Sequence, residues 1–239
     1  MKLSIGLITY NHESFIEQAV AGILSQRTDF DYEILLGEDC STDDTRRIIA
    51  ELAARHPQKI RILETPHNLG MNANYLRTLQ ACRGEYIALL DGDDYWCDEH
   101  KLQRQVDFLD RRPEYAISFH AVRKVYEDGS HPDKILRPRR GVDDYTLPDL
   151  LTSMFIPTCS AVLRSRAVSK IPEWVYRMRT TDHPIMLVAS EHGKIGYMDE
   201  VMAVYRVHDG GAWTSMHMID RIMTNILLLE TANANYDYQ

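Results

Sequence analysis

Three times in its first ninety residues the chain passes from a short unbroken apolar run to a longer stretch whose apolar residues recur every three to four positions. The run LSIGLIT from Leu3 to Thr9 reads as a buried strand, and Glu13 to Arg27 then carry Phe15, Ile16, Ala19, Val20, Ile23 and Leu24 at helical spacing. YEILLG at 32–37 is a second strand, and Asp44 to His56 a second helix with Ile48, Ile49 and Leu52 on one face and Ser41, Thr42 and Asp43 as candidate caps. KIRIL at 59–63, a helix over 71–82 and EYIALL at 85–90 repeat the pattern, and a helix from about Glu99 to Arg111 turns Leu102, Val106 and Leu109 inward. Strands that alternate with helices need crossover connections, and these cover both faces of a parallel sheet. The expected class is α/β, with a Rossmann-like, mostly parallel sheet, helices on both faces and a single domain.

The second half is less regular. A strand is expected at 116–126, a polar loop rich in Pro and Arg at 131–144, and another strand at 156–164. Between Thr181 and Gly193 a helix starts at Asp182 or His183, has Pro184 in its first turn and stops at Gly193. Residues 194–208 alternate like a strand pair, and 216–231 form an amphipathic helix. No internal repeat or linker interrupts the 239 residues, and a 44% hydrophobic content is ample for one core.

Charge and cysteines narrow the function. With 27 Lys+Arg against 35 Asp+Glu the net charge is −8, which disfavours a sequence-independent grip on nucleic acid. Cys40, Cys82, Cys97 and Cys159 include no C-x-x-C pair, so neither a disulfide scaffold nor a four-cysteine zinc site is expected, and a reducing cytoplasm suits them. The apolar start breaks at Thr9-Tyr10-Asn11, too soon for a signal sequence, and no apolar run is long enough to span a bilayer.

In an open parallel sheet, ligands sit beyond the carboxyl ends of the strands. Here those ends read Thr9-Tyr10-Asn11, Glu38-Asp39-Cys40-Ser41 and Asp91-Gly92-Asp93-Asp94. Carboxylates gathered on one rim repel each other unless a cation joins them, and their oxygens suit Mg²⁺ or Mn²⁺. Asp91 and Asp93, two apart at a strand end, present both carboxylates to one side, while Gly92 lets a ligand or a bent backbone approach. A plain Asp-Gly turn is the competing reading. An EF-hand is excluded because its glycine comes sixth, and no G-x-G-x-x-G follows the first strand.

Four ordered segments resemble family 2 of the glycosyltransferases, enzymes of the GT-A fold. They are SIGLITYNHESFIEQAVAGILSQ, EILLGEDCSTDDT, NLGMNANYLRTLQACRGEYIALLDGDDYW and YMDEVMAVYRVHDGGAWTS, and the likeness covers about residues 1–215. The resemblance implies a nucleotide-sugar-binding half over 1–112, an acceptor and catalytic half over 113–215, and a C-terminal helix and tail over 216–239. It implies that Thr9, Tyr10 and Asn11 line the base, with Glu38 and Asp39 at the family's paired acidic positions and Asp39 suited to accept from a uracil-like N–H. Asn68, Gly70 and Asn74 would face the nucleotide, although Asn72 and Asn74 also read as exposed helix polar groups. Asp91 and Gly92 would meet the ribose or the metal's surroundings, Asp93 and His208 would ligate a divalent Mn²⁺ or Mg²⁺, and Asp94 would orient them. Trp96 is expected to pack under the loop. Asp182 would be the base that deprotonates an acceptor hydroxyl, against the plainer reading of an N-cap. Gly210 and Gly211, with Trp213 and Ser215, would form a lid.

The expected activity is metal-dependent, inverting transfer from a nucleoside-diphosphate sugar, UDP foremost, to a glycan or lipid-linked acceptor. The expected setting is cell-surface polysaccharide or glycoconjugate synthesis in the cytoplasm, with peripheral contact to the inner face of the membrane left open. Arg137, Arg139 and Arg140 would meet a phosphate-bearing lipid or an anionic glycan, or remain solvated. A non-catalytic nucleotide-sugar-binding module and a nucleotidyltransferase are the competing classes.

Overall fold

The computed structural model describes residues 1–138 and 142–236. Arg139 and Arg140 lie outside them.

The first half follows the expected alternation: β1 (Leu3–Thr9), α1 (Ile16–Leu24), β2 (Tyr32–Glu38), α2 (Thr45–Arg55), β3 (Ile60–Leu63), α3 (Met71–Ala81) and β4 (Tyr86–Asp91). Then come β5 (Tyr95–Trp96), α4 (Lys101–Arg111), β6 (Tyr115–Tyr126), β7 (Lys134–Leu136), β8 (Asp144–Tyr145), α5 (Leu147–Thr152), β9 (Val162–Arg164), α6 (Asp182–Ser190), β10 (Lys194–Val207) and α7 (Met218–Tyr236). All ten strands among the described residues join one sheet whose main path runs β3-β2-β1-β4-β9-β6-β10-β5. The long ladders β3-β2-β1-β4 and β6-β10 are parallel, and β9 joins the two parallel blocks by pairing antiparallel with β4 and with β6.

The two-residue period of a strand decides which helix goes where. Leu3, Ile5 and Leu7 of β1, with Tyr86, Ala88 and Leu90 of β4, pack on α1, α2 and α4. Ile87 and Leu89 of β4 point to the other face, against α3, α6 and the inner stripe of α7. Both faces are therefore covered.

Three expectations need correction. Residues 194–208 form one strand rather than a strand pair, because β10 keeps β6 as its parallel neighbour throughout and absorbs Met198–Ala203 as register shifts instead of turning. At 156–164 only Val162–Arg164 is strand. Pro157 ends the extended run, and Thr158–Ser160 form a short 3-10 turn in which the Ser160 N–H bonds the Pro157 carbonyl. The polar loop at 131–144 contributes two short edge strands, β7 and β8.

Candidate active site

Within the parallel block the chain moves outward from β1 to β2 and β3, then returns to place β4 on the other side of β1. That reversal opens a crevice past the carboxyl ends of β1 and β4, the place where open α/β sheets take ligands. Register puts Thr9 opposite Glu38 and Ile8 opposite Asp91, so the three polar strand ends share one rim.

One side of the crevice is a pair of stitched loops. Asn11 adopts a left-handed φ of 55°, a conformation Asn tolerates better than most residues. Its N–H bonds Ser41 Oγ at 3.1 Å, and its Oδ1 accepts the Thr42 N–H at 2.8 Å. Glu38 is fully buried and turns its carboxylate into its own loop, where it accepts the Ser41 N–H at 2.5 Å and the Cys40 N–H at 3.1 Å and pairs with Arg46 at 3.2 Å. Asp39 accepts the Leu69 N–H at 2.8 Å and the Gly70 N–H at 2.9 Å, one on each oxygen, while its carbonyl accepts from Asn68 Nδ2 at 3.0 Å. Asn74 faces the sheet rather than solvent: its amide donates to the Gly37 carbonyl at 2.8 Å, and its Oδ1 accepts from Arg77 Nε at 2.9 Å. Among the residues expected at the nucleotide, Glu38, Asp39 and Asn74 thus shape the walls, Tyr10 stands exposed on the rim, and Thr9 Oγ1 is buried with no protein partner. Gly92 is required where it stands, because a Cβ there would come within 2.8 Å of His12 Nδ1 and 2.9 Å of Thr9 Oγ1.

The other side is acidic. Asp93 Oδ2 lies 3.1 Å from His208 Nε2 and 3.8 Å from His12 Nε2, and Phe15 packs against the His208 ring at 4.5 Å. Burial opposes ionisation of Asp93, but its bond to His208 and the nearby His12 hold it below the usual carboxylate range. Asp91 is driven the other way, well above that range, by burial and by the charges of Asp93 and Asp182. Asp94 is also pushed up, by burial and then by Asp93 and Asp91, and it orients the loop by accepting the Arg206 N–H at 2.8 Å. Asp182 is the first residue of α6 and caps nothing; its Oδ2 accepts from Thr158 Oγ1 at 3.3 Å. Tyr75 places a buried hydroxyl with no protein partner where burial, Asp182 and Asp91 all oppose its ionisation. Asp91, Asp93 and Asp182 therefore share one electrostatic neighbourhood, although they come from elements far apart in the chain.

Among the described residues no three His, Cys, Asp or Glu side chains close around one point as a cage for an ion. What the chain offers is one carboxylate oxygen, Asp93 Oδ2, beside the imidazole nitrogens of His208 and His12, with a second carboxyl, Asp91, nearby. That donor set fits a divalent ion shared with a substrate's phosphates, since Mg²⁺-type sites commonly rest on one or two protein ligands.

Two participants escaped sequence reasoning. His12 follows Asn11 directly, yet nothing in its neighbours marks it, because its contact to Asp93 exists only once β1 and β4 are adjacent. Arg206 did leave a signal: it lies at the end of β10, two residues before His208, which follows the strand directly. Buried to 6% exposure, it donates to the Asp93 carbonyl at 2.5 Å and to Glu127 at 2.8 Å, and it sits over Tyr95 and Phe15 at 4.5 and 5.0 Å.

Other expected features fall outside the crevice chemistry. Trp96 is buried under the loop and donates to the Cys159 carbonyl at 2.9 Å. Arg137 pairs with Asp199 at 3.1 Å. An open groove of about 420 Å³, lined by Leu69, Gly70, Met71, Asn72, Tyr176 and Arg179, runs between the loop held by Asp39 and the segment leading to Asp182. No helix among the described residues is long and apolar enough to cross a membrane.

Residues 4–171 match the family described as Glycosyl transferase family 2. An uncharacterized protein of Mycobacterium tuberculosis is 43% identical over 216 residues, which is 90% of this chain and 61% of the relative, so the chain spans about three fifths of that relative's length. Among solved structures, Staphylococcus aureus TarS 1-349 in complex with UDP-GlcNAc superposes with a TM-score of 0.76 at 19% identity, covering all of this chain and 68% of that 1-349 chain. The mannosyltransferase PcManGT of Pyrobaculum calidifontis, in complex with GDP-Man and Mn²⁺, gives 0.65 at 18% identity over 97% of this chain and 69% of its own.

Proposed function

The chain belongs to glycosyltransferase family 2 and has the GT-A fold, and from that premise we propose that it transfers a sugar, with inversion, from a nucleoside-diphosphate sugar, UDP foremost, to an acceptor hydroxyl. One observation carries the reading: Asp182, on the second half of the chain, acts on the same carboxyl, Asp91, that Asp93 acts on from the first half. A base candidate and a diphosphate-side carboxylate thus lie within electrostatic reach of the same carboxyl.

In this reading residues 1–112 hold the donor and 113–215 bring the acceptor and the base, with 216–239 as a helix and tail. Thr9, Tyr10 and Asn11 meet the base of the nucleotide, and the loop that Asp39 folds through Leu69 and Gly70 closes over it. Asp39 retains a free lone pair on each oxygen for a uracil N–H. Asp93 and His208 would hold a divalent ion, Mn²⁺ being favoured over Mg²⁺ by the imidazole nitrogen. When bound, such an ion offsets the charge that gathers on the departing diphosphate. Asp182 takes the acceptor's proton as its oxygen attacks the anomeric carbon; the bond from that carbon to the diphosphate breaks, and the diphosphate leaves with the electron pair. Thr158, which donates to Asp182, holds the carboxylate in place between turnovers. The groove beside Asn72 and Arg179 is the acceptor's approach. TarS and PcManGT, in complex with UDP-GlcNAc and GDP-Man, support a nucleotide-sugar donor.

The test is Asp182→Asn. The donor is chosen as the UDP- or GDP-sugar that most raises the melting temperature in the presence of Mn²⁺. The variant should lose about 10²–10⁴-fold in transfer rate, the usual worth of a positioned base, while keeping the Mn²⁺-dependent thermal shift. Transfer at the wild-type rate would sink the base assignment.

A further inference from the structure

Helix α7 carries two apolar stripes, and among the described residues only one of them is covered. Thr224, Leu228 and Ala232, spaced by four, are buried against the body, and Tyr236 continues that stripe by donating to Glu191 at 2.6 Å. The opposite side shows Ile219, Ile222, Ile226 and Leu229, exposed by 70, 49, 42 and 43%. Their spacing of three, four and three is the seam of a heptad repeat, the pattern by which one helix packs against another. Met218 and Met223, exposed by 71 and 54%, widen the seam.

We propose that this face of α7 binds the same face of a second copy of the chain, in an antiparallel, two-fold pair. The seam is self-complementary in that orientation: Ile219 lies opposite Leu229 of the second copy and Ile222 opposite Ile226, so each protomer offers what the other needs. Area supports a pair. Half-exposed side chains of this size leave roughly 700 Å² of apolar surface per protomer, above the few hundred that monomers usually show. Two such faces bury about 1,400 Å², inside the range of specific interfaces. Charge agrees, because Asp220, Arg221 and Glu230 are the helix's charged residues and none lies in the seam. Arg221 turns back, donating to the Met216 carbonyl at 2.9 Å, and Asp220 approaches Arg179 at 3.9 Å.

The pairing reaches the crevice through that first turn. Arg221 also donates to the Thr214 carbonyl at 3.4 Å, and Thr214 Oγ1 donates to the His208 carbonyl at 2.7 Å. A second copy seated on Met218 and Ile219 therefore braces the turn that carries His208.

Light scattering on the whole chain, over a dilution series up to tens of micromolar, is the experiment. Wild type should show twice the chain mass, and Ile222→Glu/Ile226→Glu should halve it without changing far-ultraviolet circular dichroism. Ile226→Asn, milder and on the exposed side, should weaken association at least tenfold and covers the case in which the double variant misfolds. A monomeric wild type at every concentration, or an Ile226→Asn chain that associates as tightly as wild type, overturns the proposal. A monomer would mean that some other surface covers α7.

Discussion

Lys101 is the least expected group in the core, and its replacement tests the account of the layer beneath the acidic loop. It opens α4, where a positive charge meets the helix's positive end, and it is fully buried. Its Nζ donates to Gln105 Oε1 at 2.7 Å and lies 4.1 Å from the centre of the Trp96 ring. Burial lowers its pKa from 10.5 to about 7. The unfolded chain keeps the proton up to about pH 10, whereas the folded chain releases it near 7, so above 7 the unfolded state holds more protons and stability rises with pH. At about 1.4 kcal/mol per pH unit, reduced near the folded pKa, Lys101 adds about 2 kcal/mol between roughly pH 7 and 9. Lys101→Met keeps the length of the side chain and removes the proton. The loss of its bond to Gln105 is independent of pH and cancels between the two conditions. Urea unfolding of both proteins at about pH 7 and 9 should show the wild type gaining about 2 kcal/mol more than the variant. His120 and Cys159, its buried neighbours, are held in their neutral forms in the fold, and their ionisation in the unfolded chain is common to both proteins. An equal gain in both proteins would refute the argument that Lys101 is neutral inside the fold.

Two further perturbations probe the walls and floor of the crevice. Gly37→Ala would drive a Cβ well inside contact distance of Thr78 Oγ1 and to 2.9 Å from Asn74 Oδ1, prising α3 off β2. Overpacking and the strained Asn74 bond should together cost about 2–4 kcal/mol, and Gly37→Ala/Thr78→Ala should recover part of that in a double-mutant cycle; a change below about 0.5 kcal/mol in the single variant would show that α3 yields freely. Asp93→Ala should abolish the Mn²⁺-dependent part of the thermal shift produced by UDP while leaving the melting temperature without ligand within a few degrees. An undiminished shift would remove Asp93 from the metal assignment.

What could be read beforehand divides along a physical line. Strand runs and helical spacings are local, and β1 to β4 with α1 to α3 came out within a few residues of expectation because most of the large apolar positions in them served one period. Residues 156–164 and 194–208 misled because their structure is set by neighbours: β9 is three residues long because only that stretch pairs β4 and β6, and β10 runs on past Asp199 because β6 runs beside it. The rim divides in the same way. That carboxylates would gather past β1, β2 and β4 follows from sheet topology alone, but which of them turn inward does not. Glu38 and Asp39 look alike in sequence, yet one folds its own loop and the other folds the loop after β3. A carboxylate beside several backbone N–H groups takes them, because an unpaired buried donor is costly. Asp91, Asp93 and Asp182 fold no loop in this way: Asp93 meets His208 and His12, Asp182 accepts from Thr158, and Asp91 is kept from ionising by burial and its acidic neighbours.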